Sequence, residues 1–335
     1  MICTFVVAPV QGQEEAGPAN EKAQKSFHQG LDYLGQHQAE AALESFKRAD
    51  KQDGGRCQAC QKQIIKVGAG LGDWKAAETA ATEMVEEAQG AKPQALAHYE
   101  LGTVLTGEGL EKHKDEPFTR THDEFTKALA AAPNFPMAVY SDGVALAHLN
   151  QDEAAKAQFE RYAGMVPPDD SMRRRAMFFV NHPEMTRARM APLFNVITVD
   201  GQHVSLEDLK GKVVLIDFWA TWCGPCREAL PHMQQIAKKF QGQPLVIVSV
   251  SLDQNEKKWK DFISKNGMTW LNYRDGSFNG PMAKLFAVHE IPHTFTIDAD
   301  GVLQDEHVGD AAIEGKLKKQ LARARELQEA NTAAQ

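Results

Sequence analysis

The most constraining feature of the chain is a near-continuous apolar run that ends in two closely spaced cysteines. Val213-Val214-Leu215-Ile216-Asp217-Phe218-Trp219 reads as a strand buried on both faces. It leads directly into Ala220-Thr221-Trp222-Cys223-Gly224-Pro225-Cys226, after which residues 225–240 carry helical periodicity. The cysteines therefore stand where a strand hands over to a helix. Unpaired N–H groups and the helix dipole favour negative charge at that point. A thiolate at Cys223 is favoured there over the ordinary cysteine pKa of ~8.5, falling toward ~7 or below as in other Cys-X-X-Cys motifs. Cys226, one turn inside, is placed to resolve a mixed disulfide. Pro225 fits the first turn, where its missing N–H costs nothing. The competing reading is a structural disulfide or a metal pair.

Around this run, strand and helix signals alternate. Residues 195–199 with Asp200-Gly201 predict a strand and turn, Leu245–Ser251 a second buried strand, and residues 255–266 a helix. Residues 294–298 and 302–308 flank Ala299-Asp300-Gly301 as a hairpin, and residues 311–328 form a closing helix. This order predicts an α/β domain with a mixed sheet over 191–330.

These residues resemble the thioredoxin superfamily, and more closely its TlpA/ResA-like thiol–disulfide oxidoreductases of the bacterial cell envelope. The matching text runs from Gly211 to Arg227, with Pro231 in the helix and Ile291-Pro292-His293-Thr294-Phe295 as the family's cis-proline loop. The resemblance implies a catalytic set of Cys223, Cys226, Asp217 and Pro292, supported by Trp222, Gly224, Pro225 and Ile291. Cys223 and Cys226 form the redox-active disulfide, Cys223 exchanging with substrate and Cys226 completing the exchange. The resemblance implies further that Pro292 would be cis, with its backbone beside the sulfurs. Asp217 matches the buried acid of thioredoxin, where many TlpA-like proteins have Asn; it would pass a proton to and from Cys226. A strand polar group satisfied by a neighbour is the alternative. One departure is Ala229, where the TlpA-like pattern often has Glu; Glu228 is about 100° of helix away and receives no role. The Gly224-Pro225 dipeptide resembles reducing thioredoxins. His293, after the expected cis-proline, is read as a plain loop histidine, the alternative being a group that tunes Cys223 electrostatically.

The first half carries an internal repeat. Phe125 and Phe159 lie 34 residues apart, as do Pro133 and Pro167. Gly30, Ala42, Phe46 and Ala49 follow the same spacing as Gly143, Ala155, Phe159 and Tyr162. This resembles the tetratricopeptide repeat, in which a small residue admits an aromatic between antiparallel helices. A third unit with Gly102 and Phe125 holds seven extra residues, expected within residues 107–117, and a fourth covers residues 60–84 with Gly72-Asp73-Trp74 as its turn. The alternative is a non-repeating bundle. One helix pair cannot bury its apolar face alone, so stacked units share a core and present a face for a protein or peptide partner. The organisation expected is thus a tetratricopeptide-like helical domain over 19–166, a capping helix and connector over 167–190, and the thioredoxin-like domain.

Cys57 and Cys60 form a second pair at an expected helix start. A haem site would need His where Gln61 stands; a zinc site would need further ligands. A local disulfide, redox-active or not, and two inert thiols remain. Residues 1–18 begin with an apolar stretch containing Cys3, read as the end of a secretory signal lacking its basic start, or as a frayed terminus. The signal reading implies an extracytoplasmic location; without it the chain is cytoplasmic. No run of 18 apolar residues occurs, so no membrane span is expected. Net charge is −8, which disfavours nucleic acid as a partner. Neither a metal nor a cofactor is expected. The partners expected are protein disulfides, an upstream thiol electron donor and a partner of the repeats. The function expected is reduction of protein disulfides; the alternatives are a repeat-based adaptor with a passive thioredoxin-like module, and a thiol peroxidase. The peroxidase reading suffers from the lack of a proline to accompany Thr221.

Overall fold

A computed structural model describes residues 17–112, 116–309 and 313–333. The apolar N-terminal stretch with Cys3, and residues 311–312 of the expected closing helix, lie outside the described residues. The chain divides into two compact units between Arg187 and Ala188.

The first unit holds nine α-helices among the described residues: α1 Glu21–Gly35, α2 Ala39–Gln52, α3 Gln58–Leu71, α4 Trp74–Glu87, α5 Ala91–Lys112, α6 Glu116–Ala131, α7 Pro136–His148, α8 Asp152–Met165 and α9 Ser171–Asn181. Each packs on the next in sequence. The glycine–aromatic spacing is the packing device. A Cβ at Gly30 would sit 2.6 Å from the Phe46 ring, one at Gly102 2.5 Å from Phe125, and one at Gly143 2.9 Å from Phe159. Only a residue without a side chain lets these helices close on a fully buried ring. Turn chemistry sets the units apart. Gly72 caps α3 in the left-handed region at φ 72°, and the Asp73 side chain accepts the Ala76 N–H at 3.1 Å to start α4.

The seven extra residues of the third unit are mostly helix rather than an inserted loop. Ten residues follow Gly102 in α5, against five after Gly30 in α1 and five after Gly143 in α7. Nine residues of α6 precede Phe125, against seven before Phe46 in α2 and Phe159 in α8. Gly109 and Phe118 close the lengthened part, 2.9 Å from prospective Cβ to ring, and Phe118 stacks on His148 with centroids 4.1 Å apart. Residues 113–115 lie outside the described residues.

The second unit is built on a five-stranded mixed sheet. Its strands are β3 Val213–Trp219, β4 Leu245–Ser251, β5 Leu271–Arg274, β6 His293–Ile297 and β7 Leu303–Val308, in the order β5-β4-β3-β6-β7. β3 pairs parallel with β4 and antiparallel with β6. A separate hairpin pairs β1 Asn195–Ile197 with β2 His203–Ser205. Helices α10 Gly224–Lys239, α11 Glu256–Lys265, α12 Pro281–Leu285 and α13 Glu314–Ala333 complete the unit. Side chains alternate along β3. Val214, Ile216 and Phe218 join one apolar cluster with Phe286 and Phe295. Val213 and Leu215 join the other, with Met233 and Ile236 of α10 and Leu317 and Leu321 of α13. Both faces of β3 are thus covered, which accounts for its unbroken apolar run.

Several details differ from the sequence reading. The first strand stops at Ile197, because the Thr198 N–H turns back to the Gln202 carbonyl. Asn255 and Asn266 are caps of α11, not part of it. The closing helix ends at Ala333 rather than at 328. β2, β5 and α12 were not anticipated.

Candidate active site

Central strand β3 runs out at Trp219, and the next four residues, 220–223, carry the chain to α10. This turn is held from one side by a buried carboxylate. Asp253 is 3% exposed. It accepts the Thr221 N–H at 2.9 Å, the Thr221 hydroxyl at 2.6 Å and the Ser251 hydroxyl at 2.8 Å. The Leu252 N–H donates to the Trp219 carbonyl at 2.8 Å, so the ends of β3 and β4 are tied together just before the cysteines. Sequence reasoning missed Asp253. The available signal was a carboxylate just past the strand that neighbours the Cys-X-X-Cys strand.

Cys223 is the N-cap of α10, with extended backbone at φ −81°, ψ 111°. Its Sγ accepts the Cys226 N–H at 3.1 Å. An N-cap sulfur thus occupies the place normally taken by a capping oxygen, where the open N–H groups of the first turn converge. Cys223 and Cys226 are joined as a disulfide, with Sγ–Sγ 2.02 Å. Gly224 and Pro225 open the helix, Pro225 in its first turn. Trp222, the residue before Cys223, is 60% exposed and offers a large apolar surface.

Facing the pair is the turn that enters β6. The Ile291–Pro292 peptide is cis. The Ile291 carbonyl oxygen lies 3.8 Å from Cys223 Sγ, and the Pro292 carbonyl accepts the Gly309 N–H at 2.8 Å. His293 is not a loop residue. It opens β6, is buried, stacks on Phe295 at 4.5 Å between centroids, and places Nε2 3.2 Å from Glu306 Oε1. Burial draws its pKa below the usual imidazole value, while Glu306 pulls the other way.

Asp217 lies on the face of β3 that α10 covers, by alternation with Val213 and Leu215. Part of the residue's surface meets solvent, yet its carboxyl sits deep enough that burial pushes the pKa up to about 7. A hydroxyl from Ser249, its neighbour across β4, opposes that rise. Ser249 Oγ stands 3.4 Å from Asp217 Oδ2 and accepts the Trp270 indole N–H at 2.7 Å. No group of three or more His, Cys, Asp or Glu residues that could hold a metal occurs among the described residues.

A mixed sheet whose central strand delivers a Cys-X-X-Cys to a helix N-terminus, opposite a cis-proline turn, defines the thioredoxin class of disulfide-exchanging proteins. Comparison with known proteins agrees. The model of the AhpC/TSA family matches residues 188–306. Thiol-disulfide oxidoreductase ResA of Bacillus thuringiensis (strain Al Hakam) is 30% identical over 145 residues, covering 42% of this chain and 83% of that one. Thioredoxin-like protein YneN of Bacillus subtilis (strain 168) is 38% identical over 124 residues, covering 36% and 71%. Among solved structures, a putative thiol:disulfide interchange protein DsbE from Chlorobium tepidum is 32% identical, covers 41% of this chain and 96% of its own, and superposes with a TM-score of 0.36. The chain belongs to the ResA family of thiol–disulfide oxidoreductases by its C-terminal unit. The nine helices described in the first unit lie outside the residues that the AhpC/TSA model matches.

Proposed function

We propose that this oxidoreductase reduces disulfides of other proteins outside the cytoplasm, with Cys223 as attacking thiolate and Cys226 as resolving thiol. The observation that carries the reading is the placement of Cys223 Sγ. It caps α10, accepts the Cys226 N–H at 3.1 Å and lies 3.8 Å from the Ile291 carbonyl beside the cis peptide. In the reduced protein the Cys223 thiolate attacks one sulfur of the substrate disulfide. A mixed disulfide forms and one substrate thiolate departs. Cys226 then attacks Cys223 Sγ, releasing the second substrate thiol and closing the Cys223–Cys226 bond. Asp217, with its pKa at about 7, takes the Cys226 proton as that thiol becomes a nucleophile. Pro292 and Ile291 present backbone to an extended substrate chain, and Trp222 offers it apolar surface.

The Gly224-Pro225 dipeptide supports the reducing direction, with a potential nearer ~−270 mV than ~−120 mV. Upstream, a thiol donor of lower potential returns the pair to the dithiol. The apolar start of the sequence supports the extracytoplasmic location. Among the described residues no helix is long and apolar enough to cross a membrane. The helices read as tetratricopeptide-like units, supported by the three glycine–ring contacts, and serve as a docking face for a protein or peptide partner.

Insulin reduction by the full chain tests the assignment. Wild type is expected to reduce insulin and Cys223→Ser is expected to be inactive. Equal activity in both would instead favour an adaptor with a passive thioredoxin-like unit. Equilibration with glutathione tests the direction: a potential above about −180 mV rejects the reductant. The AhpC/TSA description brings a peroxidase into view as a second reading. The Thr221 hydroxyl argues against it, because it is committed to Asp253.

A further inference from the structure

The helical unit contains a second pair of cysteines whose local geometry repeats that of the first. Cys57 is the N-cap of α3, with extended backbone at φ −84°, ψ 90°, and its Sγ accepts the Cys60 N–H at 3.1 Å. The corresponding bond at Cys223 is also 3.1 Å. The Cα–Cα separations are 5.1 Å and 5.3 Å, and in both pairs the sulfurs stand at bonding distance. Exposure is comparable, at 3% for Cys57 and 6% for Cys223.

A purely structural bond is a poor account of this pair. The loop that it closes contains only Gln58 and Ala59, which the first turn of α3 already fixes. Cross-links across such short loops restrict the unfolded chain least. The surroundings also contain more than the packing of a buried bond requires. Asp50 is buried, and its Oδ1 accepts the Cys57 N–H at 3.1 Å. Burial pushes the Asp50 carboxyl above its ordinary range, against the pull of that N–H. The corner thus keeps a buried acid at the backbone of its N-cap cysteine. Gln61 follows Cys60, is fully buried, and its Oε1 has no hydrogen-bond partner among the described residues. The loop before Cys57 contains Gly54 and Gly55, both at positive φ, with open space where a Cβ would be. Opening of this loop, which breaks the bond from the Gly55 N–H to the Asp50 carbonyl at 2.9 Å and that from Gln61 Nε2 to the Gly55 carbonyl at 3.1 Å, is the route by which a partner would reach the sulfurs.

We propose that Cys57 and Cys60 form a second dithiol–disulfide exchange centre, which accepts electrons from a protein dithiol of the Cys-X-X-Cys type. A donor thiolate attacks Cys57 Sγ, the Cys57–Cys60 bond breaks, and Cys60 leaves as a thiolate that takes up a proton. The donor's second thiol, now a thiolate, attacks the donor sulfur of the mixed disulfide and releases Cys57, which is protonated in turn. Two electrons and two protons pass to the pair, and the donor departs as a disulfide. A dithiol fits better than a monothiol, because its second attack is intramolecular.

The test uses the full chain with Cys3→Ser, Cys223→Ser and Cys226→Ser, which leaves only this pair. It is incubated under native conditions with reduced thioredoxin, and then with an alkylating reagent that adds mass to each free thiol. Two thiols are expected to appear together, with unchanged far-ultraviolet circular dichroism and an equal loss of dithiol from thioredoxin. Reoxidation should restore the starting mass. In the same background, Cys60→Ser should leave a Cys57 that forms a mixed disulfide with an aromatic disulfide reagent. The proposal fails if thiols at 57 and 60 appear only after denaturant is added, or if Cys57 in the Cys60→Ser chain does not react. Differential alkylation of the unsubstituted chain, read on the peptide that contains residues 57–60, gives the same decision if the substituted chain does not fold.

Discussion

Asp217→Asn should stabilise the oxidised protein, and by an amount that depends on pH. Burial pushes the Asp217 carboxyl from the ordinary value of 3.8 up to about 7. In the unfolded chain this group loses its proton near pH 4; in the folded protein it keeps it until about 7. Between those limits the native state binds more protons than the unfolded state. Stability therefore falls as pH rises through the window and stays low above it. At about 1.4 kcal/mol per pH unit, the span from 3.8 to about 7 amounts to about 4 kcal/mol above pH 7. That figure is a ceiling, because part of the residue meets solvent and the carboxylate can recruit water there. Asn has a similar shape and carries no charge. Urea denaturation of the disulfide form at intervals from pH 5 to 8.5 should give a stability difference between variant and wild type that grows toward alkaline pH and levels off above 7. A difference that stays flat over this range, or that shrinks as pH rises, would refute the assignment of a buried, late-titrating acid at 217. The same substitution should slow disulfide exchange, since in the proposed mechanism it removes the proton acceptor of Cys226; single-turnover reduction of a mixed disulfide at Cys223 measures this.

In the reduced protein the alkylation rate of Cys223 should inflect near pH ~7, and an inflection near ~8.5 would mean that the helix terminus leaves the thiol unactivated. Asp253→Ala removes the acceptor of the half-buried Thr221 N–H and hydroxyl and should cost about 1 kcal/mol, read as a lower urea midpoint. An unchanged midpoint would show that the turn before Cys223 holds itself. Gly102→Ala places a methyl group 2.5 Å from the edge of the Phe125 ring and should destabilise the helical unit by about 1–3 kcal/mol, even though alanine is the better helix former by about 1 kcal/mol. A more stable variant would contradict the close approach of α5 and α6.

What could be read before the fold was known follows from the range of the interactions involved. β3 announces itself because covering both faces leaves one long apolar run. The helix pairs announce themselves because glycine and phenylalanine must recur at fixed spacing for the ring to fit. β5 has only four residues, with Asn272 and Arg274 among them, and pairs through its backbone. It carries no periodic signal. α12 has five residues, too few for a helical period to register. Asp253 acts on Thr221 across 32 residues of sequence, so its role exists only once β3 and β4 lie side by side. His293 looked like a loop residue because it follows a proline, whereas its pairing with Phe218 and Val308 makes it part of the sheet.

The lengthened third pair has a geometric consequence. Five additional residues carry the end of α5 about 7 Å beyond the level that α1 and α7 reach past their own glycines. The stack is therefore not a uniform ladder: the α5–α6 pair outreaches the α1–α2 and α7–α8 pairs. A pair of that length exceeds what one glycine–ring contact can hold together, so it carries a second contact of its own, Gly109 against Phe118, with Phe118 stacked in turn on His148.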